Sequence, residues 1–186
     1  MTLVALRQSI ADTLGEAIPV VEQSIPFSGE VNKAVVENYA MRSPCILVSV
    51  LGALDGSREA HQTSMDFRWG AFIITKDRAF GGRAYTRDDL SLAIAEAAYA
   101  TLINNRWDDV PGARVATEIR GRNLWSPSMD EMGVTIWACT WRQGFELLPF
   151  DVSTLDDFLT FVGTFDKTPP DGLDTKEMRV TLDGPE

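Results

Sequence analysis

The sequence predicts an α/β protein of the α+β kind: antiparallel hairpins around one long strand, with helices over the sheet. Three observations predict it. The stretch 132–147, MGVTIWACTWRQGFEL, alternates with a period of two. Two further strand-like runs, 45–52 and 63–75, lie a short loop apart, as in an antiparallel hairpin. Between these regions, 86–103 carries the cap and composition of a helix. In the long stretch, Met132, Val134, Ile136, Ala138 and Thr140 share one face, and Trp137, Cys139, Trp141 and Phe145 the other. Both faces are largely apolar, so this strand is expected to be covered on both sides or continued into a partner subunit. At about fourteen residues it is more than twice the usual strand length and is expected to outrun its own domain.

The elements follow in order. Residues 3–15 place Leu3, Leu6, Ile10 and Leu14 at steps of three and four, an amphipathic helix expected to end at Gly15. Pro19, Val20 and Val21 suggest a short extended segment. VNKAVVENYAM is compatible with a helix that Pro44 stops, with Ser43 extended before the proline. The run 45–52, CILVSVLG, reads as a core strand, and 54–62, with Asp55-Gly56 inside it, as a polar connection. The next strand, 63–75, alternates Met65, Phe67 and Trp69 against Asp66 and Arg68 before turning wholly apolar. A loop over 76–85 has Gly81-Gly82 at its tip. Thr86 then caps a helix whose first turn holds Asp88 and Asp89, where the helix dipole favours negative charge. From Leu90 to Ile103 this helix carries one charge, Glu96, so both of its sides are candidates for burial. By parity, 113–122 is a strand with Val115, Thr117 and Ile119 opposite Arg114, Ala116, Glu118 and Arg120. It forms a second hairpin with the long strand across the loop 123–131.

Composition bounds the function. The chain has 186 residues, enough for one domain, and is 45% apolar and 24% charged, ordinary values for a protein with a full core. We place that domain at 1–150 and an extension at 151–186, where composition changes after Pro149. In the extension, Ser153 or Thr154 caps a segment (154–162) of either helical or strand character, Pro169-Pro170 marks a linker, and 177–182 alternates weakly as a strand. A tail of this kind needs the body of its own subunit or a neighbour to lie on. The net charge of −10 disfavours a nucleic-acid surface, apart from a local patch such as Arg114, Arg120 and Arg122. Cys45 and Cys139 lie in apolar runs and read as buried free thiols in a reducing cytoplasm, with no secretory signal and no membrane-length apolar run.

Catalytic signatures are scarce. The single histidine, His61, sits in a polar loop without a placed partner. Gly81-Gly82 matches neither a phosphate loop nor a dinucleotide fingerprint. The acidic pairs Asp88-Asp89, Asp108-Asp109, Asp130-Glu131 and Asp156-Asp157 are explained by helix first turns and turns. No enzyme, metal or cofactor is expected, and Trp69, Trp137 and Trp141 read as core or interface.

One resemblance spans roughly residues 3–148. The order is an amphipathic N-terminal helix, PCILVSV, a strand ending WGAFIIT, RAYTRDDL opening a helix, and NLWS followed by GVTIWACTWRQGFEL. This resembles the Mu-like phage family of small structural proteins that act as tail terminators in contractile-tailed phages. The resemblance implies a virion protein with a mostly antiparallel sheet flanked by helices, assembling into a homohexameric ring. Such a ring caps the tail tube and sheath, meets the neck of the head, and lets DNA pass through its lumen without specific binding or contact with a membrane. It carries over no catalytic residue. Contact positions expected from it are Trp141, Gln143 and Phe145 at the end of the long strand, Arg78 and Arg83 in the loop 78–83, and Trp125 in the loop 123–130. The alternatives are an adjacent neck connector, which is also a small acidic ring-former, and a ligand-binding α/β domain with a discrete polar pocket.

Overall fold

The computed structural model describes residues 3–29, 31–59, 62–107, 109–147, 160–164 and 177–181. In chain order it places α1 (Leu3–Ala17), β1 (Gln23–Pro26), α2 (Lys33–Ala40), β2 (Cys45–Glu59) and β3 (Gln62–Thr75). Then come β4 (Arg78–Phe80), β5 (Arg83–Tyr85), α3 (Arg87–Asn104), β6 (Thr117–Asn123), α4 (Pro127–Glu131) and β7 (Thr135–Leu147). These belong to one compact unit, Met1–Leu148. Pro149–Glu186 is a second unit, in which β8 (Thr160–Thr164) pairs antiparallel with β9 (Glu177–Thr181). The alternative left open for 154–162 is resolved as strand from Thr160. The expected cap at Ser153 or Thr154, Asp156-Asp157 and the Pro169-Pro170 linker lie outside the described residues, as do His61 and Asp108.

The fold is α+β, with a mixed five-stranded sheet in the order β1-β2-β3-β7-β6 and four helices among the described residues. Only β1 runs parallel to its neighbour; the other three pairings are antiparallel. The long strand is thirteen residues and lies between β3 and β6, so the middle of the sheet is β3. Its alternation divides as expected. Cys139, Trp141 and Phe145 join Trp69, Ala71 and Ile73 beneath Leu6, Ile10 and Leu14 of α1 and Ile94, Ala98 and Leu102 of α3. Val134 and Ile136 join Cys45, Leu47 and Ile74 beneath Val36 and Ala40 of α2. Both faces of the strand's first half are therefore covered within the subunit. Where Trp69 and Trp141 meet in register, their rings stack at 6.3 Å between centroids and 12° between planes.

Several local expectations change for physical reasons. Helix α1 continues through Gly15 to Ala17. That glycine serves close packing: a Cβ there would lie 3.2 Å from Cβ of Ser24 on β1, whose hydroxyl donates to the Ala11 carbonyl at 2.7 Å. The extended segment begins at Gln23, after a turn at Pro19-Val20. The polar connection at 54–62 is strand on both sides: β2 runs to Glu59 and β3 starts at Gln62, so Asp55-Gly56 falls at a register shift instead of a turn. Main-chain pairing with β3 is available whatever the side chains, and a bulge accommodates the surplus residue. The loop 76–85 contains the β4–β5 hairpin, with Gly81 and Gly82 at φ of 56° and 79°. Positive φ at both tip residues matches the twist of the flanking strands, which favours glycine there.

Residues 114–116 fall outside β6, and the parity set for 113–122 breaks at a register shift between Thr117 and Arg120, where Glu118 has φ of 50°. The connection 123–131 holds the short helix α4, capped by Ser126, whose hydroxyl accepts from Met129 N.

Candidate functional site

The second face of the sheet changes character along its strands. Beyond Ile136 and Ala138, the same side of β7 carries Thr140 and Arg142, which pair across the ladder with Arg120 and Gly70 and with Thr117 and Arg68 respectively. Residues opposite each other in an antiparallel ladder share a face. Arg122, opposite Ala138, joins them. The bulge at Glu118 turns Thr117 onto this face and keeps Arg120 and Arg122 aligned with Arg142. The Arg114 side chain lies there too, beside Gly144, so Arg114, Arg120 and Arg122 share a side as their common parity indicated. This half of the face is partly open to solvent, and Arg120 and Arg122 are exposed.

Arg142 is the hub of the open half. Its Nε donates to Asp66 Oδ2 at 2.8 Å and its Nη2 to the same oxygen at 2.5 Å; Asp55 lies 3.4 Å from Nη2 and Glu118 3.6 Å from Nη1. The hydrogen bonds to Asp66 raise the guanidinium's pKa above its ordinary value, and the charges of Asp66, Asp55 and Glu118 add to this. One arginine is thereby matched by three carboxylates, whereas Arg120 and Arg122 form no ion pair among the described residues. Gly144 makes room for the cluster, since a Cβ there would come within 2.5 Å of Asp66 Oδ1 and 2.9 Å of the Arg114 side chain.

The other side of the subunit, outside α1 and α3, has the opposite character. Asp12, Glu16, Asp89 and Glu96 are exposed on these helices, whose own basic residues are Arg7 and Arg87. Arg7 is bonded to Ser28 and Arg87 to Asp130. Large apolar side chains also stand in solvent on this layer: Leu92 is 51% exposed and Ile103 62%. The sequence signal was the near-absence of charge on α3. One side of that helix is buried, and the second side expected to be covered remains open within the subunit.

The six expected contact residues divide. Trp141, Gln143 and Phe145 are interior, which corrects their assignment as surface contacts. Their parity points them toward α3 and the segment leading to Ala113, which bridges to Phe145. Trp141 Nε1 donates to Gln143 Oε1 at 2.9 Å, and Gln143 Nε2 to the Arg114 carbonyl at 2.7 Å, so the buried amide is satisfied inside the fold. Arg78 is partly exposed but committed: it donates to the Ser43 carbonyl at 2.5 Å, pairs with Glu22 and lies 5.0 Å from the centre of the Phe80 ring. Arg83 is exposed, 5.2 Å from the centre of the Tyr85 ring, and Trp125 is 67% exposed. Only these last two offer the free surface expected of them.

The thiols of Cys45 and Cys139 are each pushed up to about 12 by burial, which keeps them protonated and unreactive at neutral pH. Among the described residues no group of three or more His, Cys, Asp or Glu side chains could hold a metal ion, and no helix is long and apolar enough to cross a membrane. No protein-family model matches the chain, and no curated protein matches it.

Proposed function

We propose that the chain is a ring-forming structural subunit of a contractile phage tail, a tail terminator that closes the end of the tube and sheath and meets the neck. The observation that carries the assembly part is the polarity of the subunit. On one side the open half of the sheet carries Arg120 and Arg122 without an ion pair among the described residues, beside an Arg142 matched by Asp66, Asp55 and Glu118. On the other lies an acidic layer with exposed Leu92 and Ile103. Unlike surfaces on two sides favour heterologous association, which gives a ring when the rotation between copies closes. The terminator role rests on the sequence resemblance, with which an α+β subunit built on hairpins agrees. The acidic net charge suits a lumen that lets DNA slide past.

The test is assembly in vitro with the matching tube protein. Tubes grown with the chain present should stop at shorter lengths, each with an added ring at one end in negative stain. Tubes of unchanged length with bare ends would count against the terminator role.

A further inference from the structure

We infer that the cleft where β1 leaves the edge of β2 docks an extended segment of a partner polypeptide, one that carries an apolar side chain and, two residues away, a carboxylate. This inference stands apart from the ring and does not depend on it.

The cleft measures about 480 Å³, within the span typical of ligand pockets. Its walls are mainly apolar, formed by Phe27, Val31, Leu51, Phe72 and Leu124, and Arg7 reaches it from α1. The Arg7 Nη1 donates to Ser28 Oγ at 2.5 Å and lies 3.4 Å from the Phe27 carbonyl. Its Nε is buried and meets no acceptor among the described residues. Arg7 forms no ion pair among the described residues, so a carboxylate at the mouth of the cleft would be the first charged partner of its guanidinium. The pocket therefore asks for an apolar group with an anion beside it.

The edge beside the cleft selects a polypeptide over a small amphiphile. Strand β1 covers β2 only from Cys45 to Val48, ending with the bond from Phe27 N to the Val48 carbonyl at 2.7 Å. Strand β2 continues to Glu59, and residues 51–56 are exposed. An extended segment laid along this edge prolongs the line of β1 and pairs with free main-chain groups, the mode of strand addition. The register shifts after Val50 and Ala53 confine that pairing to a short run beside the cleft. Side chains two apart on a strand share a face, so one enters the apolar cleft while the other reaches Arg7.

The experiment titrates the full chain with acetyl-Ser-Phe-Thr-Glu-Ser-amide, its Glu-to-Gln counterpart and octanoate, followed by amide NMR and calorimetry. The Glu peptide should bind saturably, shift the amides of Leu51 and Phe72, and bind about tenfold more tightly than the Gln peptide. Arg7→Met should erase that difference and leave the Gln peptide unaffected. Because Arg7 also ties α1 to the 27–28 turn, Leu51→Asp provides a second variant at a side chain 44% exposed. It should keep the far-ultraviolet circular dichroism of the parent and weaken the Glu peptide at least about tenfold by like-charge repulsion. Equal affinity for the two peptides, no saturable binding, or octanoate binding as tightly as the Glu peptide would overturn the inference.

Discussion

Trp69 and Trp141 show how a residue can be read correctly for its face and wrongly for its role. Alternation put Trp141 on the side opposite Ile136, and the structure keeps it there, stacked on Trp69 and fully covered. Parity separates the two faces of a strand but does not say which of them a helix will cover. The same gap misplaced Gln143, a polar residue at a strand end whose amide is satisfied by Trp141 and the Arg114 carbonyl. Trp141→Ala should therefore act on the fold, lowering unfolding free energy by about 3–5 kcal/mol in urea titrations of the isolated subunit. A variant of unchanged stability would contradict the packing described.

The buried thiols make a second residue-level prediction. Their folded pKa values, about 12, lie above the ordinary 9.0. Tyr99 shifts likewise from 10.0 to about 12 through burial. Between these limits the unfolded chain releases protons that the folded chain retains, so the stabilisation is fully present below about pH 9 and falls as pH rises toward 12. Urea midpoints should decline across that alkaline window, and Cys139→Ala should flatten the slope; the same slope in the variant would contradict the assignment.

At the scale of elements, the segments with strong local signals were the legible ones. Thr86 caps α3 as its sequence indicated, with its Oγ1 accepting from Asp89 N at 3.1 Å. Thr86→Ala should cost about 0.5–2 kcal/mol in thermal or urea melts, and a neutral result would mean that neighbouring contacts hold the helix end without the cap. The β2–β3 hairpin was legible from two apolar runs near one another, and the β6–β7 hairpin from the alternation of 113–122 beside the long strand. The extension of β2 from Gly52 to Glu59 was not, because this part is held by main-chain pairing and shows no alternating hydrophobic pattern. The bulge at Glu118 was hidden too. It shifts parity by one residue through a backbone conformation at positive φ, which a non-glycine residue does not advertise. The cleft at Arg7 depends on α1, β2, β3 and residues 27–29 meeting in space, so no local pattern announced it.

At the scale of the whole molecule, an overall charge of −10 conceals an uneven distribution. Arg68, Arg120, Arg122 and Arg142 are gathered on one half-face by ladder register, with Asp55, Asp66 and Glu118 drawn to Arg142 alone, while Asp12, Glu16, Asp89 and Glu96 stand outside the helices covering the opposite face. The composition suggested an acidic surface; register and helix placement turn it into two unlike surfaces. In the proposed ring, each copy sets its basic sheet face toward its neighbour's acidic helices, with Leu92 and Ile103 losing water at the contact. Exposed charges are screened by salt, so the attraction should weaken as ionic strength rises, while the apolar contribution persists.

The measurement that bears most directly on this account is the solution mass of the purified protein by light scattering, across a concentration series, for the parent and for the double variant Arg120→Glu, Arg122→Glu. The parent should reach a hexamer as concentration rises, and the double variant should need at least about tenfold higher concentration to do so. A parent that stays a dimer at every concentration, or a double variant that closes rings as readily as the parent, would contradict it.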